Sequence, residues 1–309
     1  MNESVRDTLP GHFQNTLRSG RFTVTAEITP PVSADPQALL KKALPLRGLA
    51  DAINVTDGAS ARVSMSALAA AAILTRNNIE PILQFTCRDR NRIALQSDLL
   101  GAAALNIRNL LILRGDDPSA GDQPDAKPVF DLDTRTLTAI AAGIRDRGEL
   151  PSGRRIEGPV SFFLGAADSP IDPPPRWTPD GLKAKVTAGA QFAQTQFCMD
   201  IGIVRRYMAR LVDEGITERL FVLVGIAPLA SARSARWIRD NLRGSIIPDA
   251  LVDRLDSASD PKQEGRKICI ELMAEFAEIP GVAGAHLMAP LNETAIPAVI
   301  KDFRKIHPG

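Results

Sequence analysis

The sequence predicts a closed (β/α)8 TIM barrel carrying extra helices, and three observations lead there. Short β-branched or apolar runs alternate with longer helical periodicities from one end of the 309-residue chain to the other, and the strand-like runs number eight. Parallel neighbours need a crossover of about a dozen residues, which the helical segments supply, and eight such units close most naturally into a ring. No GxGxxG follows the first strand, so the main signal of the alternative, a doubly wound open sheet, is missing.

The elements follow in order. Residues 1–20 read as an N-terminal extension of one barrel domain spanning 1–309. FTVTAEI (22–28), AINVT (52–56), PILQFT (81–86) and NLLIL (109–113) are the first four strands, each a buried β-rich run. VSFFL (160–164), FAQTQF (192–197), LFVLVGI (220–226) and GAHLM (284–288) are the next four. Helical periodicity covers 65–76, 91–105, 134–147, 182–188, 203–214 and 232–242. Residues 247–279 hold two further helical stretches, one of them an addition to the repeating unit. Polar Gly/Pro/Asp loops at 117–127 and 168–180 interrupt the rhythm after strands four and five, where barrel enzymes build their sites.

Composition narrows the function classes. Lys plus Arg total 37 against 36 Asp plus Glu, so no net field favours nucleic acid or an anionic membrane. The three cysteines are widely spaced without a CxxC pair, which fits a reducing compartment and offers no metal site. No signal core or apolar run of membrane length occurs, so a cytoplasmic protein, with a homo-oligomer open, is expected.

Chemistry is expected from polar residues at the carboxyl ends of strands. Glu27 stands one residue before the end of strand one, and a carboxylate there costs several kcal/mol to desolvate unless it is paired or used. It is the candidate general acid. Asn54, Thr56 and Asp57 end strand two, Gln84 and Thr86 strand three, and Arg114, Gly115 and Asp116 strand four, where the glycine would let a ligand approach the backbone. Gln194 and Gln196 present amides from one face of strand six, suited to a pteridine edge, although backbone satisfaction inside the barrel explains them equally well. His286 reads as a satisfied core histidine, Cys87 as an apolar filler, and Trp177 as a loop anchor. Arg88, Arg90 and Arg92 read as a solvated helix start before an anion site.

FTVTAEITPP (22–31), DAINVTDG (51–58), EPILQFTCRDRN (80–91), NLLILRGDDP (109–118), LKAKVTAGAQFAQTQ (182–196) and GIAPLASARSARW (225–237) together resemble the methylenetetrahydrofolate reductase family, in order and across nearly the whole chain. The short bacterial form, a catalytic barrel alone, is the nearest match. The resemblance implies that Glu27 protonates the folate and opens its imidazolidine ring, that Asp116 lies near flavin and pterin, and that Gln196 binds folate. With the strand-end residues, substrate contacts are expected at Gln196, Gln194, Thr56 and Asp116, and cofactor contacts at Thr56, Gln84, Thr86, Arg114, Gly115, Asp116 and Lys185. The implied reaction passes hydride from NADH or NADPH to FAD and then to the methylene carbon of a tetrahydrofolate derivative. The sequence departs from the family where a histidine becomes Gln84, where three polar residues after strand five become GAADSP (165–170), and where a phenylalanine becomes Ala232. Direct hydride transfer without flavin, a methyl-transfer subunit and a non-catalytic folate-binding barrel are the alternatives.

Overall fold

The computed structural model describes residues 11–290 and 292–308. The remaining residues, including 1–10 of the expected extension, lie outside the described set. Eight strands form one closed ring: β1 (Thr23–Ile28), β2 (Ala52–Val55), β3 (Pro81–Thr86), β4 (Asn109–Leu113), β5 (Phe163–Asp168), β6 (Phe192–Phe197), β7 (Phe221–Ile226) and β8 (Val282–Leu287). Each pairs in parallel with the next, and β8 closes on β1. The barrel is therefore as expected.

Helices fill every crossover. α1 (His12–Arg18) precedes the ring, and α2 (Pro36–Ala43), α3 (Ala67–Arg76), α4 (Arg92–Ala104), α5 (Thr134–Arg147), α6 (Asp180–Thr187) and α7 (Ile201–Asp213) follow strands one to six. Between β7 and β8 run α8 (Ala232–Asn241), α9 (Asp249–Asp256) and α10 (Pro261–Ala277), and α11 (Ile296–Ile306) closes the chain. Among the described residues no helix is long and apolar enough to cross a membrane.

β5 differs from its expected place, running Phe163–Asp168 instead of 160–164. The reason is packing. Its second half, Gly165-Ala166-Ala167, has little β-propensity, but a Cβ on Gly165 would collide with the Phe192 ring, so only the smallest residue fits the interior there. GAADSP is thus partly strand, and Asp168 stands at its carboxyl end.

α1 is also more than an extension. Its Phe13 and Leu17, one turn apart, enter the amino-terminal mouth of the ring and join Ala52, Ile82, Leu111, Phe163, Phe192 and Leu223 in a buried cluster. Phe13 meets Phe163 and Phe192 edge-on, with centroids 5.7 and 5.1 Å apart. Beside it the buried Asp51 accepts from the Val24 amide at 2.8 Å and from Arg304 at 2.7 Å, and also pairs with Arg21, tying α11 to the start of β1. Phe13 and Leu17 thus plug the interior of the ring at that end.

Candidate active site

Alternation along a strand sends every second side chain inward. On β1 that places Thr25 and Glu27 in the barrel, on β2 Asn54, on β3 Gln84 and on β6 Gln194. Above the apolar cluster lies a polar layer instead of the usual Val and Leu. Asn54 and Gln194 exchange amide hydrogen bonds at 2.6 and 3.0 Å. The Gln194 amide nitrogen also reaches Thr25 Oγ1 at 2.9 Å and His286 Nδ1 at 3.2 Å, and Thr25 Oγ1 lies 2.9 Å from the same ring nitrogen.

Glu27 stands one step nearer the mouth. Gln84 Nε2 donates to its Oε2 at 2.6 Å, and His286 Nε2 lies 3.6 Å from that oxygen. The Glu27 side chain is 21 % exposed against 3 % for His286, so the carboxyl faces the opening while the imidazole backs it. Both contacts fall on Oε2, which leaves Oε1 for whatever enters. His286 is the satisfied core histidine expected, with one nitrogen turned to the candidate acid. Thr25 was not singled out in the sequence; counting two residues back from Glu27 would have found it.

The other expected residues divide by depth. Thr56 is buried and its Oγ1 has no hydrogen-bond partner. Gln194 sits below Glu27, committed to Asn54, Thr25 and His286, whereas Gln196 is at the rim, 3.3 Å from the Arg243 carbonyl. Thr86 gives its hydroxyl to Asp57 at 2.9 Å, and Asp57 also pairs with Arg90. Asp116 is exposed, one oxygen accepting from the Ser60 amide at 2.8 Å. Gly115 has φ +89°, and a Cβ there would stand 2.9 Å from Arg88 Cβ and 3.2 Å from Thr86 Cβ. Its smallness leaves that room to the Arg88 and Thr86 side chains. Arg114 lies over the Phe130 ring at 4.4 Å, and Lys185 Nζ donates to the Ala167 carbonyl at 2.6 Å.

Arg88, Arg90 and Arg92 do not form an anion site. Arg88 is buried, bound to Asp89 and to the Gly58 and Asp116 carbonyls, Arg90 pairs with Asp57 and Asp98, and Arg92 with Asp131. Arg88 is thus a buried tie between loops and not a solvated helix start. Trp177 packs on Tyr207 at 5.6 Å, the anchor role expected, and the buried Tyr207 hydroxyl donates to Asp168. Burial, with Asp168 beside it, pushes the Tyr207 phenol up. Burial likewise pushes the Cys87 thiol up to about 11, which suits an apolar filler and not a nucleophile. Among the described residues no group of three or more His, Cys, Asp or Glu is placed to hold a metal.

Comparison with known proteins agrees with this architecture. The family model described as Methylenetetrahydrofolate reductase matches residues 12–304. A Caenorhabditis elegans protein named probable methylenetetrahydrofolate reductase (NADPH) is 27 % identical over 250 residues, covering 78 % of this chain but 35 % of its own length. A Schizosaccharomyces pombe relative shows the same imbalance at 36 %, so the chain spans about a third of these longer proteins. The 5,10-methylenetetrahydrofolate reductase of Salmonella typhimurium is 25 % identical over 300 residues, covering 94 % of this chain and 93 % of that one. In fold, the chain is similar to a Clostridium thermocellum protein described as binding two copies of 5-methyl-5,6,7,8-tetrahydrofolic acid, with TM-score 0.61, 13 % identity and coverage of 95 % and 99 %. Matched over almost all of its length, the chain belongs to the methylenetetrahydrofolate reductase family.

Proposed function

We propose that this chain interconverts 5,10-methylenetetrahydrofolate and 5-methyltetrahydrofolate with NADH or NADPH as the electron source, Glu27 being the proton donor of the reductive direction. One observation carries the reading: a carboxyl group inside the barrel mouth, backed by Gln84 and His286 on one oxygen and open on the other. Simple folate binding has no need of an acid at that point.

The chemistry follows from the contacts. A proton passed from Glu27 to N10 breaks the bond between N10 and the methylene carbon, and the N5 lone pair forms an iminium. The Gln84 amide then donates to the carboxylate that remains and stabilises its charge, with the His286 ring 3.6 Å behind the same oxygen. Hydride arriving at the iminium carbon makes the methyl group, and water returns the proton to Glu27. Gln196, Thr56 and Asp116, at or near the rim, are the residues proposed to hold the pterin.

FAD held as the family resemblance implies would take up Thr56, Gln84, Thr86, Arg114, Gly115, Asp116 and Lys185. Of these, Thr56 offers an unpartnered buried oxygen. Gln84 is spent on Glu27, Thr86 on Asp57, one Asp116 oxygen on Ser60, and the open side of Gly115 on Arg88 and Thr86. These contacts do not fit a buried flavin ring, and no step above is routed through one.

The test is an assay of purified protein with methylenetetrahydrofolate and NADH or NADPH, following nucleotide oxidation and 5-methyltetrahydrofolate together. Stoichiometric methyl product is expected. Absence of product with either nucleotide, with and without added FAD, rejects the reading.

A further inference from the structure

We infer that hydride passes directly from a dihydronicotinamide nucleotide to the folate carbon, and that the nucleotide's phosphates seat in a cavity lined by Arg114, Thr134, Thr138, Ser169 and Lys185. The inference rests on the reductase reading above and adds the route of the electrons.

The first support is a closed roof. The turn Ala59–Ala61 after β2 packs on the turn Pro118–Ala120 after β4, above the end of β3 between them. Ser60 N donates to Asp116 at 2.8 Å, and Val63 N to both oxygens of Asp122 at 3.2 and 3.1 Å. Gly121 lies so close to the Ala61 carbonyl that a Cβ would overlap it. Beneath, the buried Arg88 guanidinium holds Gly58 and Asp116 together through their carbonyls, at 3.2 and 3.3 Å. Ser60 and Ala61 both have φ 54°, a conformation costly for non-glycine residues that these bonds maintain. Backbone and the Arg88 side chain thus crowd Thr86 and Gly115, two of the residues that the family resemblance gives to the flavin.

The second support is a cavity of about 380 Å³ between the ends of β4 and β5, the start of α5 and the last turn of α6, reaching Arg114, Asp168 and Lys185. Among the described residues its two cations have no carboxylate partner: Lys185 Nζ rests on a neutral carbonyl and Arg114 on an aromatic ring. That sets them apart from Arg88, Arg90 and Arg92, each paired with an aspartate. The cavity's carboxylate, Asp168, has one oxygen engaged by Tyr207. An ammonium and a guanidinium beside the Thr134 and Ser169 hydroxyls suit a phosphate ester, where charge-assisted bonds are the strong ones. The volume is at the lower end of ligand pockets, roughly 300–1,000 Å³, so it takes the diphosphate segment and leaves the nicotinamide to reach the mouth. A cofactor kept through many turnovers needs a buried seat for its ring; a nucleotide that leaves every cycle needs only to be presented.

The balance closes without a further redox partner. The C4–H bond of the dihydronicotinamide breaks, its hydrogen and electron pair go to the iminium carbon, and the ring becomes the oxidised pyridinium. The C=N π pair returns to N5. Methylene is reduced to methyl, and the one proton consumed comes through Glu27.

Isotope transfer tests the route. The protein as purified is given methylenetetrahydrofolate and NADH or NADPH carrying deuterium on either the 4R or the 4S face, in ordinary water, and the methyl product is weighed by mass spectrometry. Direct transfer places one deuterium in the methyl group from one labelled face and none from the other. Methyl product without deuterium from either face overturns the inference, because it means passage through an exchangeable N–H such as that of a reduced flavin. No methyl product at all, even with added FAD, removes the reductase reading and the inference with it. For the seat, Arg114→Ala and Lys185→Ala should each raise the nucleotide KM roughly tenfold with the folate KM little changed, and Lys185→Arg should restore it. An unchanged nucleotide KM in both alanine variants overturns the seat.

Discussion

Glu27 and Gln84 meet through a 2.6 Å hydrogen bond across the barrel mouth, joining β1 to β3 past the intervening β2. The amide donor holds the carboxyl in one place and one orientation. Replacing Glu27 by Gln keeps the volume and removes the transferable proton. Turnover of methylenetetrahydrofolate should fall roughly a hundredfold or more. Folate affinity, measured by titration calorimetry, should stay within a few-fold of the original, and full activity in Glu27→Gln would remove the acid role.

Gln194 is the hub beneath that acid. Gln194→Leu leaves Asn54, Thr25 and His286 without their shared partner in a layer closed to water. An orphaned buried polar group costs about 1–3 kcal/mol, so the midpoint of urea unfolding should drop by at least the equivalent of one such group. A variant as stable as the parent would mean that the layer is wet or easily rearranged.

The plug at the other end should behave differently. Phe13 is fully buried against Phe163 and Phe192, and truncating an aromatic side chain in such a place costs about 3–5 kcal/mol. Phe13→Ala should therefore lose that much stability in denaturant titrations. Glu27 lies at the opposite mouth, so turnover per folded molecule, assayed well below the melting temperature, should be retained. Loss of activity at unchanged stability would show that α1 serves the site instead of sealing the barrel.

The ring itself was legible because short β-branched or apolar runs alternate with helical periodicity, and β3, β4 and β6 begin and end where the sequence places them. β5 was displaced because the signal came from Phe162 and Phe163, while Gly165 is in the strand for the room it leaves Phe192, a contact 27 residues away. α1 was hidden by its length: Phe13 and Leu17 are one turn of apolar spacing, too little to mark a helix without the barrel that receives them. At the site, Glu27, Thr56, Gln84 and Gln196 stood out as polar residues in apolar strands. Their pairings did not. Asn54 with Gln194 spans 140 positions and Ser60 with Asp116 spans 56, and nothing local to either segment announces the other.

The last expectation concerns acid. Asp131 accepts from the Arg92 amide at 2.8 Å and from its guanidinium at 2.9 and 2.7 Å, at the first turn of α4, where an anion also favours the helix dipole. The side-chain hydrogen bond from Arg92, then its backbone one, hold the Asp131 carboxyl down from 3.8 to about 2. A carboxyl depressed in the folded state contributes stability that is fully present above its unfolded value and is lost as pH falls through the folded one. The melting temperature of the parent should accordingly exceed that of Asp131→Asn at pH 6, and the gap should close between about pH 4 and pH 2. The contact is exposed, so added salt should narrow the gap at pH 6 as well. A difference that persists unchanged to pH 2 would mean that the ion pair is not what Asp131 contributes.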